Sequence, residues 1–199
     1  THALPLLQYA MTELYNKHDG RILTLDAYNS IGGVADALNR CATDIYMGFD
    51  EAMQAIVRQL FLQMITFGEG VKDHSRRMLR IDMLAIDADT EAVQHVLDVF
   101  VAHCLLTIDR DPITRQQRVG VAHDILLQEW SLLRSWIDAN RAGLQTKRQV
   151  YRASAEWQNM GRDVQYLASG MVLAQLEQWI SSTDLLVTLF EYDYIEQSI

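Results

Sequence analysis

At 199 residues, with 49% hydrophobic and 22% charged residues, the chain is composed like an ordinary soluble globular protein of one medium or two small domains. Its net charge of -9 argues against a general nucleic-acid or anionic-membrane binder, which needs a positive field. No run of about 18 uncharged apolar residues occurs, so no membrane-spanning helix is predicted.

The start, Thr1-His2-Ala3-Leu4-Pro5, has no cationic region followed by an apolar run, and so lacks the pattern of a signal peptide. It also lacks Met and is apolar from Leu4 onward, which reads as a segment of something longer. Leu4 to His18 predicts a helix ended by Asp19-Gly20, and Thr24 is placed to cap a short helix through Tyr28. Gly32-Gly33 separates it from a helix over Val34–Tyr46, with Leu38, Cys41, Ala42 and Ile45 at helical spacing. Asp50 predicts an N-cap for a helix with the inner stripe Met53, Ile56, Val57, Leu60, Phe61 and Met64, and Gly68 and Gly70 end that region.

Arg76 to Ile81 partly alternates and reads as a short strand. Asp89 or Thr90 then caps a helix carrying Val93, Val96, Leu97, Phe100, Val101 and Cys104. Two apolar runs, Leu105–Ile108 and Val119–Ala122, flank the turn-rich Asp109–Arg115 and predict a β-hairpin with a longer loop. Helix, short strand, helix, hairpin is the layout of a winged helix. From Asp124 onward the chain reads as helical. Leu126, Trp130, Leu133 and Ile137 mark one face of a first helix, and a second runs from Arg141 to Met160 and closes at Gly161. A third spans Met171–Ile180 with Leu173, Leu176 and Trp179, and Leu185–Ile199 forms a fourth or frays.

Charge is unevenly placed along this last part. Arg141, Lys147, Arg148 and Arg152 cluster on the second helix, whereas after Arg162 only Asp163, Glu177, Asp184, Glu191, Asp193 and Glu196 are charged. Pairing within the domain is the first reading, and docking of a neighbour the second. Cys41 and Cys104 fall on apolar faces and are expected to be reduced core residues of a cytoplasmic protein.

Catalytic patterns are missing. There is no G-x-x-x-x-G-K-[ST] loop, and Gly68-Glu69-Gly70 does not extend to a dinucleotide fingerprint. The six His form no H-E-x-x-H and do not cluster with Cys, so no zinc site is expected. There is no G-x-S-x-G elbow, and Asp87 and Asp89 beside a helix start read as caps rather than as an acid–base pair. A DNA-binding winged helix would place its second helix against phosphates. That helix carries Asp89, Glu91 and Asp98 and neither Lys nor Arg, although the wing holds Arg110, Arg115 and Arg118. His123 stands between the second wing strand and the following helix, where an imidazole and a helix N-terminus suit a phosphate oxygen. On the residues alone, a His that packs or caps at this junction is the first reading.

The strings Leu4-Pro5-Leu6-Leu7-Gln8-Tyr9-Ala10, Asp19-Gly20-Arg21, Leu23-Thr24-Leu25, Tyr28 and Gly32-Gly33-Val34 resemble the region that follows the ATPase core in bacterial novel STAND NTPases, which are often fused to WD repeats. The resemblance continues through Leu60-Phe61-Leu62, Gly68-Glu69-Gly70 and Arg76-Arg77. It is densest from Val121-Ala122-His123-Asp124-Ile125 to Trp130 and over Leu133-Arg134-Ser135-Trp136, and it runs on through Arg141-Ala142-Gly143-Leu144, Glu156-Trp157 and Gly161-Arg162-Asp163. Ala3 stands where the class places Gly, and Asp184–Leu189 is more apolar than the family's approach to its last helix.

The resemblance implies a mainly α module in three parts. Residues 1–49 would be the helical subdomain after the NTPase core, residues 50–123 the winged-helix domain with its small β-hairpin wing, and residues 124–199 a helical arm. It also implies that Pro5 packs near the adenine and that His123, within a His-Asp pair, touches the ADP phosphate and holds the off state. The expected function is a non-catalytic regulatory module of a signalling NTPase. ADP or ATP would be bound by the longer protein, an ATPase or GTPase, and this segment would hold no cofactor of its own. Its expected partners are that protein's NTPase core and sensor, and a homo-oligomer on activation, with neither nucleic acid nor membrane. A winged-helix DNA-binding regulator and a protein-docking scaffold are the alternatives.

Overall fold

The structure, a computed structural model, describes residues 11, 14, 15, 22, 24–30, 33–66 and 73–199. The described residues are mainly helical, with two small antiparallel sheets. They fall into two compact units, residues 1–136 and 137–199. Of the predicted first helix, only Met11, Leu14 and Tyr15 are described, and all three are helical. Pro5, Gly32, Gly68 and Gly70 lie outside the described residues.

In the first unit α1 (Leu25–Ser30) follows Thr24, and α2 (Gly33–Met47) buries Leu38 and Ala42, as its spacing predicts. Helix α3 (Glu51–Gln63) starts where the Asp50 carboxylate accepts the Met53 N–H at 2.8 Å, an N-cap that satisfies one orphan donor of the first turn. The α3 stripe Ile56, Val57, Leu60 and Phe61 is fully enclosed. Directly after it, β1 (Ile65–Thr66) pairs with β2 (His74–Ser75), Ile65 opposite Ser75.

Only Met78–Leu79 of the predicted Arg76–Ile81 strand is extended, as β3. Arg80 already opens a short helix, α4 (Arg80–Leu84), because Met83 must turn inward to be buried while Ile81 is left exposed. The Arg80 guanidinium donates to the Gln117 and Gln94 side-chain oxygens, which ties that turn to its neighbours. Helix α5 (Thr90–Ala102) is capped by Asp89, which accepts from the Ala92 N–H at 3.0 Å, while Asp87 accepts from the Asp89 N–H at 2.9 Å. The paired carboxylates are therefore caps.

Cys104 corrects the sequence reading. Helix α5 ends at Ala102, and Cys104 stands beyond it, exposed and in the left-handed region at φ 57°. Cys41 is half-buried.

Strands β4 (Leu106–Arg110) and β5 (Gln117–Val121) form the hairpin, and β3 adds to the outer edge of β5 to give the order β3-β5-β4. The hairpin is longer than its apolar runs suggest, because polar residues extend the register as Asp109↔Arg118 and Arg110↔Gln117. Arg118 also bonds the Asp109 carboxylate at 3.2 Å and the Asp111 carboxylate at 2.9 Å.

Two further corrections concern the helices after Asp124. The face Leu126, Trp130, Leu133 and Ile137 is buried throughout, but it does not belong to one helix. A single turn, α6 (Leu126–Glu129), ends at Trp130, whose backbone is extended at φ -79° and ψ 101°. The break drives the Trp130 indole into the core, with ring centroids 5.0 Å from Phe61 and 6.1 Å from Phe100. Helix α7 then runs unbroken over Ser131–Asn159, so the predicted separation into helices before and after Arg141 does not occur. The division between the two units falls within α7, after Trp136.

The second unit contains the rest of α7, a 3-10 turn at Val164–Tyr166, α8 (Gly170–Ser182) and α9 (Leu189–Ser198). Gly161 closes α7 at a left-handed φ of 70°, a conformation that favours glycine. The core joins Val150, Trp157, Ala168, Leu176, Trp179, Tyr194 and Ile195. The last helix is capped at both backbone and side chain by the reciprocal Thr188–Glu191 box, which explains why it holds as a helix rather than fraying. The basic and acidic stretches pair inside this unit. Buried Lys147 reaches Glu191 at 3.7 Å and donates to the Leu186 carbonyl, and Arg162 meets Asp193 at 2.8 Å.

Candidate functional site

His123 stands one residue past the end of β5, after Ala122. Ala122 donates to the Leu105 carbonyl at 3.0 Å, continuing the strand by one residue, and the chain then turns. Past the turn, Leu126 donates to the His123 carbonyl at 2.9 Å and Leu127 to the Asp124 carbonyl at 3.0 Å. The His123–Asp124 dipeptide is thus pinned by the sheet on one side and a helical turn on the other. His123 is half-buried, with Nδ1 enclosed.

The helix beside it differs from the one the sequence suggested. It has one turn only, and its N-cap position, Ile125, offers no side-chain acceptor. The strong dipole of a long helix is therefore not available here. The Asp124 carboxylate does not cap that turn either. It reaches β2 instead, where Oδ1 accepts from the Ser75 N–H at 2.9 Å and the Ser75 hydroxyl at 2.6 Å.

The strand that supplies Ser75 is itself anchored. Arg76 donates through its backbone N–H to the Met64 carbonyl at 2.8 Å and through Nε to the Gln63 carbonyl at 3.0 Å, which satisfies carbonyls at the end of α3. Arg77 forms an ion pair with Asp109 across the sheet. A Cβ on Gly120 would meet Arg77 Cγ at 2.9 Å, so the absence of a side chain there lets the arginine stem cross β5. Ser75 was missed in the sequence. A serine 49 residues before its aspartate partner gives no local pattern.

A cleft of about 440 Å³ lies along α5 and is lined by Leu84, Thr90, Glu91, Gln94, His95 and Asp98. His123 is not part of it. Among the described residues no group of three or more His, Cys, Asp or Glu side chains is placed to hold a metal. Among those same residues no helix is long and apolar enough to cross a membrane.

The model of the novel STAND NTPase 1 family matches residues 1–165. The chain belongs to this family. The match covers the whole first unit, including β5, His123 and Asp124, and extends along α7 to the 3-10 turn of the second unit. Helices α8 and α9 lie beyond it. No match was found among curated proteins or among solved structures. Of the two family-implied contacts, the structure describes His123 and its neighbours, while Pro5 is outside the described residues.

Proposed function

We propose that this chain is the regulatory, non-catalytic segment of a STAND NTPase, in which the His123–Asp124 turn contacts the phosphate of bound ADP and holds the off state. The NTPase core would come from the longer protein, and Pro5 would lie near the adenine. Residues 50–123 would act as a winged helix between a helical subdomain, residues 1–49, and a helical arm, residues 124–199.

One observation carries the reading. In a chain that belongs to a STAND NTPase family, the backbone that carries a half-buried histidine is held just past a strand end by backbone hydrogen bonds on both sides. A backbone so fixed presents the imidazole from a defined point, and a ligand pays little to order that backbone. Protonated, the imidazole donates a charge-assisted hydrogen bond to a phosphate oxygen, worth about 1.5–3 kcal/mol. Loss of such a contact shifts a two-state equilibrium by roughly ten- to a hundredfold, enough to release an off state. A sensor that displaced the β5–α6 junction would weaken the contact and permit nucleotide exchange and assembly.

The test is made in the full-length protein that contains the NTPase core. His123→Ala is expected to purify with less ADP than wild type and to assemble without an activating signal. Equal ADP content together with an unchanged oligomeric state would overturn the reading and leave His123 a junction residue.

A further inference from the structure

We propose that Ser75 is a positioning residue for His123, acting through Asp124 and linking the nucleotide contact to the end of α3. This inference rests on the clamp reading above for its function, although the link itself is a matter of geometry.

Asp124 is exposed, and an exposed carboxylate beside a one-turn helix would ordinarily rotate freely or cap that helix. Here Oδ1 accepts two donors from a single residue, the Ser75 N–H at 2.9 Å and Oγ–H at 2.6 Å. Two convergent donors fix the side-chain rotamer, and with it the backbone of the dipeptide that carries the imidazole. They also engage the charge of Asp124. A carboxylate next to a phosphate-binding histidine repels the anion, and the two Ser75 donors solvate that charge and keep it on β2.

Ser75 is a suitable anchor because its own position is over-determined. It pairs with Ile65 in the β1–β2 register, and the next residue bonds the Met64 and Gln63 carbonyls. Met64 and Ile65 are buried, at 0% and 7% exposure, so this end of α3 belongs to the core. A continuous set of contacts thus runs from the end of α3 through Ser75 and Asp124 to His123. A shift at that end of α3 would be felt at the imidazole, which makes α3 a route by which partner contacts could regulate the clamp.

Two measurements separate the link from the clamp. In this chain, NMR would follow the His123 ring signals and the amide exchange of Leu126 and Leu127 in wild type, Ser75→Ala and Ser75→Thr, with thermal unfolding confirming the fold. Ser75→Ala is expected to move the His123 ring signals and to speed that exchange by roughly two- to tenfold, the worth of one hydrogen bond, while Ser75→Thr restores both. In the full-length protein, Ser75→Ala is expected to accelerate ADP release over the same range, and to add nothing in a His123→Ala background. Unmoved ring signals in folded Ser75→Ala would overturn the link. So would an equal acceleration of ADP release in the His123→Ala background, which would place Ser75 on a separate path. If His123→Ala alone leaves ADP release unchanged while Ser75→Ala still moves the ring signals, the link stands and the clamp reading fails.

Discussion

Asn39 does for α7 what Asp50 and Asp89 do for α3 and α5. Its Oδ1 accepts from the Ser131 N–H at 3.0 Å and the Ser131 hydroxyl at 3.2 Å, so the cap of a 29-residue helix comes from a side chain 92 residues away. Asn39→Ala is expected to lower unfolding free energy by about 1 kcal/mol, measured by urea titration. Asp111 organises the hairpin loop in a comparable way. The N–H groups of Thr114 and Ile113, each at 2.9 Å from Oδ1, hold its pKa below the usual carboxylate value, and the Arg118 charge adds to this. A depressed folded-state pKa means that the contribution is present above the unfolded value and is lost as pH falls through the folded one. Amide exchange at Ile113 and Thr114 should therefore accelerate as pH drops below about 4, after correction for intrinsic rates, and Asp111→Asn should abolish that dependence. At this scale the local caps were legible in the sequence. Asp50 and Asp89 sit three residues before the Met53 and Ala92 N–H groups that donate to them, within one helical turn. Asn39 with Ser131 and Ser75 with Asp124 were not, because distant pairs of small polar residues leave no periodic trace.

Elements were legible where burial and backbone agree. The α3 and α5 stripes and the apolar centre of the hairpin are such cases. They were misread where the two part company. Leu126, Trp130, Leu133 and Ile137 share helical spacing and are all buried, yet the backbone is extended at Trp130. Periodicity records which side chains face the core and says nothing of whether the hydrogen-bond ladder is continuous. Trp130→Ala should cost about 3–5 kcal/mol, because the indole is fully enclosed between Phe61 and Phe100 and its removal leaves a cavity. In the second unit, the polar pair Lys147–Glu191 is 5% and 1% exposed at the side chains. Glu191→Ala would strand a buried ammonium and lose about 3–5 kcal/mol, whereas Lys147→Met with Glu191→Leu should recover the part due to the stranded charge but not the part due to the lost Thr188 cap, in the same unfolding measurement. A bulk excess of acid after Arg162 predicted pairing within the domain, and this pair and Arg162–Asp193 supply it.

For the whole molecule, the sequence has a net charge of -9 and no G-x-x-x-x-G-K-[ST] loop, and the proposed role is control of an NTPase core. The chain belongs to a STAND NTPase family, and the object proposed for that control is a nucleotide held by the NTPase core of the longer protein. From the residues alone His123 reads first as a junction residue and second as a phosphate contact, and only the resemblance puts the proposed phosphate role first, since one histidine before a helical run is chemically ambiguous. Its support, the Ser75–Asp124 clasp, required the fold. The most direct measurement is the 15N shift of the His123 imidazole in selectively labelled full-length protein, recorded before and after ADP loading. A phosphate contact predicts a shift of the His123 nitrogens and a raised pKa on loading, since a dianionic neighbour favours the imidazolium. Nitrogen shifts and titration identical with and without ADP would contradict the clamp.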